Sequence, residues 1–433
     1  MRLARGMSVC RPSAEWAAGT QRSLGGSIVR KHRLVAVGAT LLAATMAFSA
    51  CGSRAQEGGT SEEATTKVAK IGVIAPLSGD LSALGLGIRN SVDLAIRQAN
   101  ESNAIPGWKL EMAAEDDQAS PDVGKNAATK LAGDDQVIGV VGTLNSSVAQ
   151  SVQPVLSAAN IVQVSPANTN PTLTRGPDDN NPKRPYANYF RTCTTDAVQG
   201  PFAARYLYNT AGIKKVATIH DKLAYGQGLV SAFSGEFKKL GGEIVEAETI
   251  NPDEKDFGSV ITKVKSAGPE AIYYGGQYPQ AGPLSQQAKA AGLNVPVMGG
   301  DGIFDPTFIK LAGKTSEGDL ATSVGAPTDT LPSAKAFVEA YSAAGFKEPY
   351  AAYGAYSFDA ANAIIEALKV SLKDAADAKS ARQPTIDAMA NVSFDGATGK
   401  VAFDEFGDTT TKVLTVYKVE GGEWKAATTE EFK

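Results

Sequence analysis

The sequence predicts an α/β protein of two lobes, each a mostly parallel sheet covered by helices. Three observations predict it. Short apolar runs alternate with stretches of helical spacing from residue 68 to residue 324, the mark of right-handed βαβ units. The alternation is broken once, by the Pro-, Asn- and Asp-rich stretch from Asn170 to Pro185, and then restarts. The chain has 433 residues, 43% hydrophobic and 20% charged, which suits two or three domains with a core that needs no disulfide or metal.

The first 50 residues do not belong to that core. Arg30-Lys31-His32-Arg33 precede an apolar, small-residue run from Leu34 to Ala50, and Cys51 follows. This is the basic region, hydrophobic region and cleavage site of a signal peptide. Cleavage before a cysteine resembles a bacterial lipoprotein leader, with the Cys51 thiol carrying the lipid. Residues 1–29 are long for a leader, so translation is expected to start downstream, near Val29. Residues 51–67 read as a polar tether. Without residues 1–50 the chain holds 45 acidic and 35 basic residues, a net charge of −10, which argues against nucleic acid as a partner. Cys51 and Cys193 are then its only cysteines and His220 its only histidine. With Cys51 lipidated there is no disulfide framework, a histidine metal cluster is excluded, a histidine-based triad is disfavoured, and no cofactor or metal is expected.

The body opens on a strand, Val68 to Ile74, and the loop Pro76-Leu77-Ser78-Gly79-Asp80. A helix carries Ile88, Val92, Ala95, Ile96 and Ala99 on one face. Its Gly85-Leu86-Gly87 is not a dinucleotide fingerprint, since Asn90 stands where the third glycine belongs. The strand Leu110 to Ala114 runs into Glu115-Asp116-Asp117, read as acids that end the strand and cap the helix opened by Pro121. Two apolar strands, Val137–Val141 and Ile161–Val164, lead into the loops that organise the rest. They are Gly142-Thr143-Leu144-Asn145-Ser146-Ser147 and Ser165-Pro166-Ala167-Asn168-Thr169. Ser146 or Ser147 suits the N-cap of the helix bearing Val148, Val152 and Leu156. The same hydroxyl and the orphan N–H groups of a helix start also suit a carboxylate.

After Tyr189–Thr192 and a helix from about Ala197, strands are expected at 216–220, 243–250, 271–274, 295–298 and 320–324, with helices between them. Helices at 333–344, 353–372 and 385–390 follow. The tail is β-rich, with strands at 399–403, 411–419 and 423–425 and Gly421-Gly422 at the last turn.

From Lys70 to Pro327 the chain resembles the type I periplasmic binding proteins, in particular the leucine/isoleucine/valine branch of ABC importers. The runs that carry the resemblance are Pro76-Leu77-Ser78-Gly79, Ser165 to Pro171, His220-Asp221-Lys222 with Tyr225-Gly226, Glu254 to Phe257, Tyr273-Tyr274-Gly275-Gly276 and Gly299-Gly300-Asp301-Gly302. The resemblance implies two Rossmann-like lobes joined by a three-crossover hinge, with the ligand in the cleft between them. Lobe one would take 68–193 and 325–395, and lobe two 194–324 and 396–433. Ser146 and Thr169 would hold an amino acid's carboxylate, while the Ala167 carbonyl and Asp301 would hold its ammonium. Tyr225 would close over it. Gln277 and Leu84 stand where the branched-chain binders have aromatics, so the side-chain pocket is altered. The implied protein is a monomer, anchored by lipid to the outer face of the membrane, that delivers an amino acid or close analogue to an ABC permease. A sensor reporting the same ligand to a membrane receptor is the rival. A serine hydrolase ranks last, because Ser146 or Ser147 would need a base and only His220 is available. Asp221 reads as a loop anchor and Cys193 as a buried small residue.

Overall fold

The computed structural model describes residues 66–178 and 180–432; the leader, Cys51 and nearly all of the tether lie outside the described residues. The first half is strictly alternating: β1 (Lys67–Ala75), α1 (Ser82–Glu101), β2 (Trp108–Asp116), α2 (Pro121–Ala132), β3 (Val137–Gly142), α3 (Ser146–Ala158), β4 (Val162–Ser165), the short α4 (Thr172–Arg175) and β5 (Tyr189–Arg191). Its five strands lie in the order β2-β1-β3-β4-β5 and every pair is parallel. Strand β3, Val-Ile-Gly-Val-Val-Gly, is buried at all six positions. A continuous apolar run is what a strand covered on both faces requires.

The second half repeats the pattern with α5 (Asp196–Arg205), β6 (Lys215–His220), α6 (Ala224–Lys239), β7 (Glu243–Thr249), α7 (Gly258–Ala267), β8 (Ala271–Gly275), α8 (Tyr278–Ala290), β9 (Val297–Gly299), α9 (Pro306–Ala312) and β10 (Leu320–Ser323). The chain then returns to the first sheet with α10 (Lys335–Ala343), α11 (Gly354–Ser371) and α12 (Arg382–Met389), of which α11 and α12 lie against β3 and β4. A hairpin, β11 (Ser393–Gly396) and β12 (Gly399–Ala402), precedes β13 (Val413–Glu420) and β14 (Glu423–Glu431), which add antiparallel to the second sheet. Its order is β14-β13-β10-β9-β8-β6-β7. The chain thus passes between the halves three times. One apolar cluster joins them, with Leu84, Ile88 and Val141 from the first half and Tyr274, Tyr278 and Ile303 from the second.

Local expectations needed four corrections. The stretch from Asn170 to Pro185 contains α4, and β11 was not anticipated. The acids at the end of β2 and just after it do not cap α2, whose cap position is Ser120, with no side-chain bond. Asp116 instead accepts from Leu77 N and the Ser78 hydroxyl and so pins the loop after β1, while Asp117 accepts from Ala119 N. Nor is Ser146 or Ser147 an N-cap. Asn145 holds that position and Ser146 is the first helical residue.

Candidate functional site

In parallel α/β sheets ligands lie beyond the carboxyl ends of the strands, where the strand order reverses. The order reverses beside β1 and β3 in the first sheet and beside β6 and β8 in the second. Every residue singled out for the cleft follows such an end: Leu84 after β1, Ser146 after β3, Ala167 and Thr169 after β4, Tyr225 after β6, Gln277 after β8 and Asp301 after β9. Gly142 makes the bend out of β3 possible. Its φ is 141°, and a Cβ there would stand 2.2 Å from the carbonyl oxygen of Ile74.

On the first half the polar groups are donors. Ser146, at the start of α3, is 1% exposed, and its hydroxyl oxygen accepts only a long bond, 3.4 Å, from Asn170 N. No side chain caps α3, so its first N–H groups remain available. Thr169 is fully buried, and its hydroxyl has no partner among the described residues. It lies near the Asp196 carboxylate but outside hydrogen-bond geometry. The loop itself is tightly tied. Ser165 Oγ accepts from Ala167 N at 3.2 Å and Asn168 N at 2.8 Å, and Asn168 Nδ2 donates to Leu144 O at 2.9 Å. A buried, rigid loop with unused donors is a preorganised anion cradle.

The second half supplies the opposite charge. Asp301 is 2% exposed. Its Oδ1 accepts from Gln199 Nε2 at 2.9 Å and the Tyr225 hydroxyl at 2.8 Å, and its Oδ2 accepts from the Tyr353 hydroxyl at 2.7 Å. The Tyr225 oxygen in turn accepts from Gly302 N at 3.0 Å, and Gln199 Oε1 accepts from Asp301 N at 2.8 Å. A Cβ on Gly300 would come within 2.5 Å of the Tyr225 hydroxyl, so glycine lets the tyrosine reach the acid. Burial pushes the Asp301 carboxyl above its ordinary value, and the three donors pull it partly back. A second acid, Asp196 at the start of α5, is also buried. Desolvation first and the Asp301 charge second drive its carboxyl well up, and its Oδ2 has no partner among the described residues. Asp196 thus lies near both Asp301 and Thr169, so buried acids and an orphan donor share one region, and a cation beside the two acids would relieve both.

Near these groups bonds cross from half to half, among them Asp196 N donating to Thr169 O at 2.8 Å. Tyr353, at the start of α11, reaches Asp301; Asn170 Nδ2 donates to Ala224 O at 2.6 Å; and the Tyr278 hydroxyl donates to Asp80 O. Gln277 is the half-buried residue before Tyr278 at the head of α8. Leu84 is 1% exposed and belongs to the shared apolar cluster. Asp221 anchors its loop, accepting from Leu223 N at 3.0 Å, and Cys193 is fully buried. No group of three or more His, Cys, Asp or Glu side chains among the described residues is placed to hold a metal ion.

The profile of the periplasmic binding protein family matches residues 68–423. The chain belongs to that family. Among similar members is Leu/Ile/Val-binding protein homolog 3 of Brucella melitensis biotype 1, 33% identical over 357 residues, which are 81% of this chain and 91% of the relative. Two solved structures share the fold closely. A leucine-binding protein LivK from Thermotoga maritima MSB8 is 28% identical, with a TM-score of 0.73 over 83% of this chain and 98% of that one. The branched-chain amino acid transporter substrate-binding protein LivJ from Streptococcus pneumoniae, in complex with isoleucine, is 27% identical, with a TM-score of 0.73 over 84% and 99%. In this periplasmic binding protein, sequence reasoning missed Asp196, Gln199 and Tyr353. Gln199 follows Asp196 by three residues on the first turn of α5, and that spacing on a helix start was the one signal available for the pair. Tyr353 lies 52 residues from its partner Asp301 and carries no local signal.

Proposed function

We propose that this chain is the extracytoplasmic substrate-binding component of an ABC importer and that its ligand is an amino acid or close analogue. What supports the reading is a buried group of polar side chains with orphan donors at Ser146 and Thr169 and the acids Asp196 and Asp301, Asp196 lying near both Thr169 and Asp301. A zwitterion fits that arrangement. The first N–H groups of α3, the Ser146 hydroxyl and the Thr169 N–H and hydroxyl take its carboxylate. Its ammonium lies between the Ala167 carbonyl and Asp301. Tyr225 holds Asp301 in place from below and closes the second half over the ligand. Gln277 and Leu84 border the side-chain end, where a glutamine and an aliphatic residue favour a ligand of different shape or polarity from a pocket of aromatics. The lobes, 68–193 with 325–395 and 194–324 with 396–433, close by a hinge motion biased by ligand contacts to both. Lipid on Cys51 holds the monomer at the outer face of the membrane, where it meets its permease.

On this reading the chain binds its ligand without turning it over. Among the described residues no base bonds to Ser146, and His220 has its Nδ1 occupied by Lys222 N at 3.0 Å. Burial and the Lys222 charge also lower its affinity for a proton.

Calorimetry of the mature chain with an amino-acid panel tests the reading. At least one amino acid is expected to bind well below a Kd of about 1 mM, and Asp301→Ala is expected to weaken it by about tenfold or more. A panel with no binder sinks the proposal, and unchanged affinity in the variant sinks the assignment of Asp301.

A further inference from the structure

The loop that carries Thr169 is built around a buried guanidinium. Arg191, the last residue of β5, is fully buried. Its Nη1 donates to Asn168 O at 2.7 Å and to Asn170 O at 2.9 Å, and its Nη2 donates to the Thr174 hydroxyl. Its Nε donates to Asp408 Oδ1 at 2.6 Å. That aspartate sits in a segment pinned to the same strand by Arg191 N donating to Gly407 O at 3.0 Å. The Cys193 thiol adds a second, longer contact to Asn168 O at 3.4 Å. Other groups of the loop are also occupied. Thr169 O accepts from Asp196 N at 2.8 Å, Asn168 N donates to Ser165 Oγ and Asn170 N to Ser146 Oγ. Among the N–H and O–H donors of residues 167–170, the two without a partner in the described residues are those of Thr169, its N–H and its hydroxyl.

The peptide plane explains how that pair is left over. Asn168 O and Thr169 N belong to one planar unit, and in a trans peptide the C=O and N–H point in opposite directions. Drawing the carbonyl onto Arg191 turns the N–H away from it. We propose that Arg191 is a positioning residue for ligand recognition: by gripping the carbonyls on both sides of Thr169 it aims the Thr169 N–H into the cleft as a donor for the ligand's carboxylate. Arg191 touches no ligand. A lysine cannot replace it, because one ammonium on a flexible stem cannot hold four acceptors in a fixed fork. The inference rests on the amino-acid reading above, and its test separates the two.

The test uses the full mature chain, Arg191→Lys, and Thr174→Val, a milder variant that removes the Nη2 acceptor and, with it, the hydroxyl's 3.3 Å bond to Pro171 O. The first readout is the affinity of the tightest amino acid of the panel relative to its primary amide, which lacks the carboxylate. Arg191→Lys is expected to shrink that ratio by about tenfold while affinity for the amide barely moves, and Thr174→Val to shrink it less. The second readout needs no ligand: hydrogen exchange over residues 165–171 should quicken in Arg191→Lys, with β1 and β3 unchanged. An arginine that merely stabilised the fold would weaken acid and amide alike, or neither. An unaltered ratio in both folded variants overturns the proposal. Should the wild type bind no amino acid, the function proposed above fails, and unaltered exchange over the loop in both variants then overturns the role of Arg191 separately.

Discussion

Asp301 and Asp117 are both buried carboxylates, and their surroundings give them different tasks. Asp301 shares its charge among three neutral donors. Asp117 accepts one backbone N–H, its second oxygen is unpartnered among the described residues, and burial lifts its carboxyl to about 7. The sign follows from linkage. An unfolded aspartate loses its proton near its ordinary value of 3.8, whereas the folded one keeps it to about 7. Stability from this group is therefore greatest in acid and declines as pH rises between those values. Asp117→Asn keeps the acceptor for Ala119 and cannot ionise. Relative to the wild type, it should gain about 2 kcal/mol between about pH 5 and about pH 8, read from urea unfolding at each pH. Parallel pH profiles for the two proteins would refute this. The same logic applies to the cleft. Asp301 and Asp196 are both raised in this structure, and an ammonium favours their charged forms. Ligand binding should therefore release protons, and affinity should fall on acidification. Calorimetry in buffers of different ionisation enthalpy detects the release, and proton uptake would contradict the assignment.

At the scale of elements, the site is made where strands end and helices begin. The turn from β3 into α3 depends on Gly142, because a Cβ there overlaps the Ile74 carbonyl of the neighbouring strand β1. Gly142→Ala should force β1 and β3 apart and lower stability by about 2 kcal/mol or more, measured by urea unfolding; a neutral substitution would mean that the turn relaxes freely. The strands and helices themselves were legible from the chain because apolar periodicity is a local property. Val137–Val141 and the restart after residue 185 are examples, and the loops that follow them were legible for the same reason. What escaped was decided across space. Asp116 looked like a helix cap until its true partners, Leu77 and Ser78, were brought to it by the pairing of β1 with β2. Tyr353 and Gln199 take their meaning from Asp301, 52 and 102 residues away. Ser146 fell one position inside its helix, which frees its hydroxyl from capping.

For the whole molecule, the question is what favours closure of the halves. Asp301 is held from within its own half by Gln199 and Tyr225, and from the other half by Tyr353 alone. The Tyr353 bond exists only when the halves meet. The exposed pair Lys255 and Asp80, 3.6 Å apart, also bridges them, but exposed pairs contribute little. A hydrogen bond to a buried charged group contributes roughly 1.5–3 kcal/mol. Removing one that only the closed form makes shifts the equilibrium toward the open form by that amount, and apparent affinity falls with the fraction still competent to close. Tyr353→Phe should therefore weaken ligand binding by about tenfold, mostly through faster dissociation, and enlarge the ligand-free molecule in small-angle scattering. Tyr225→Phe is the control. It removes an equivalent bond to the same carboxylate from inside one half, so it should reduce affinity without changing the ligand-free dimensions. If both variants scatter like the wild type while both lose affinity, Tyr353 serves the acid and not the closure, and the bond across the cleft is no latch.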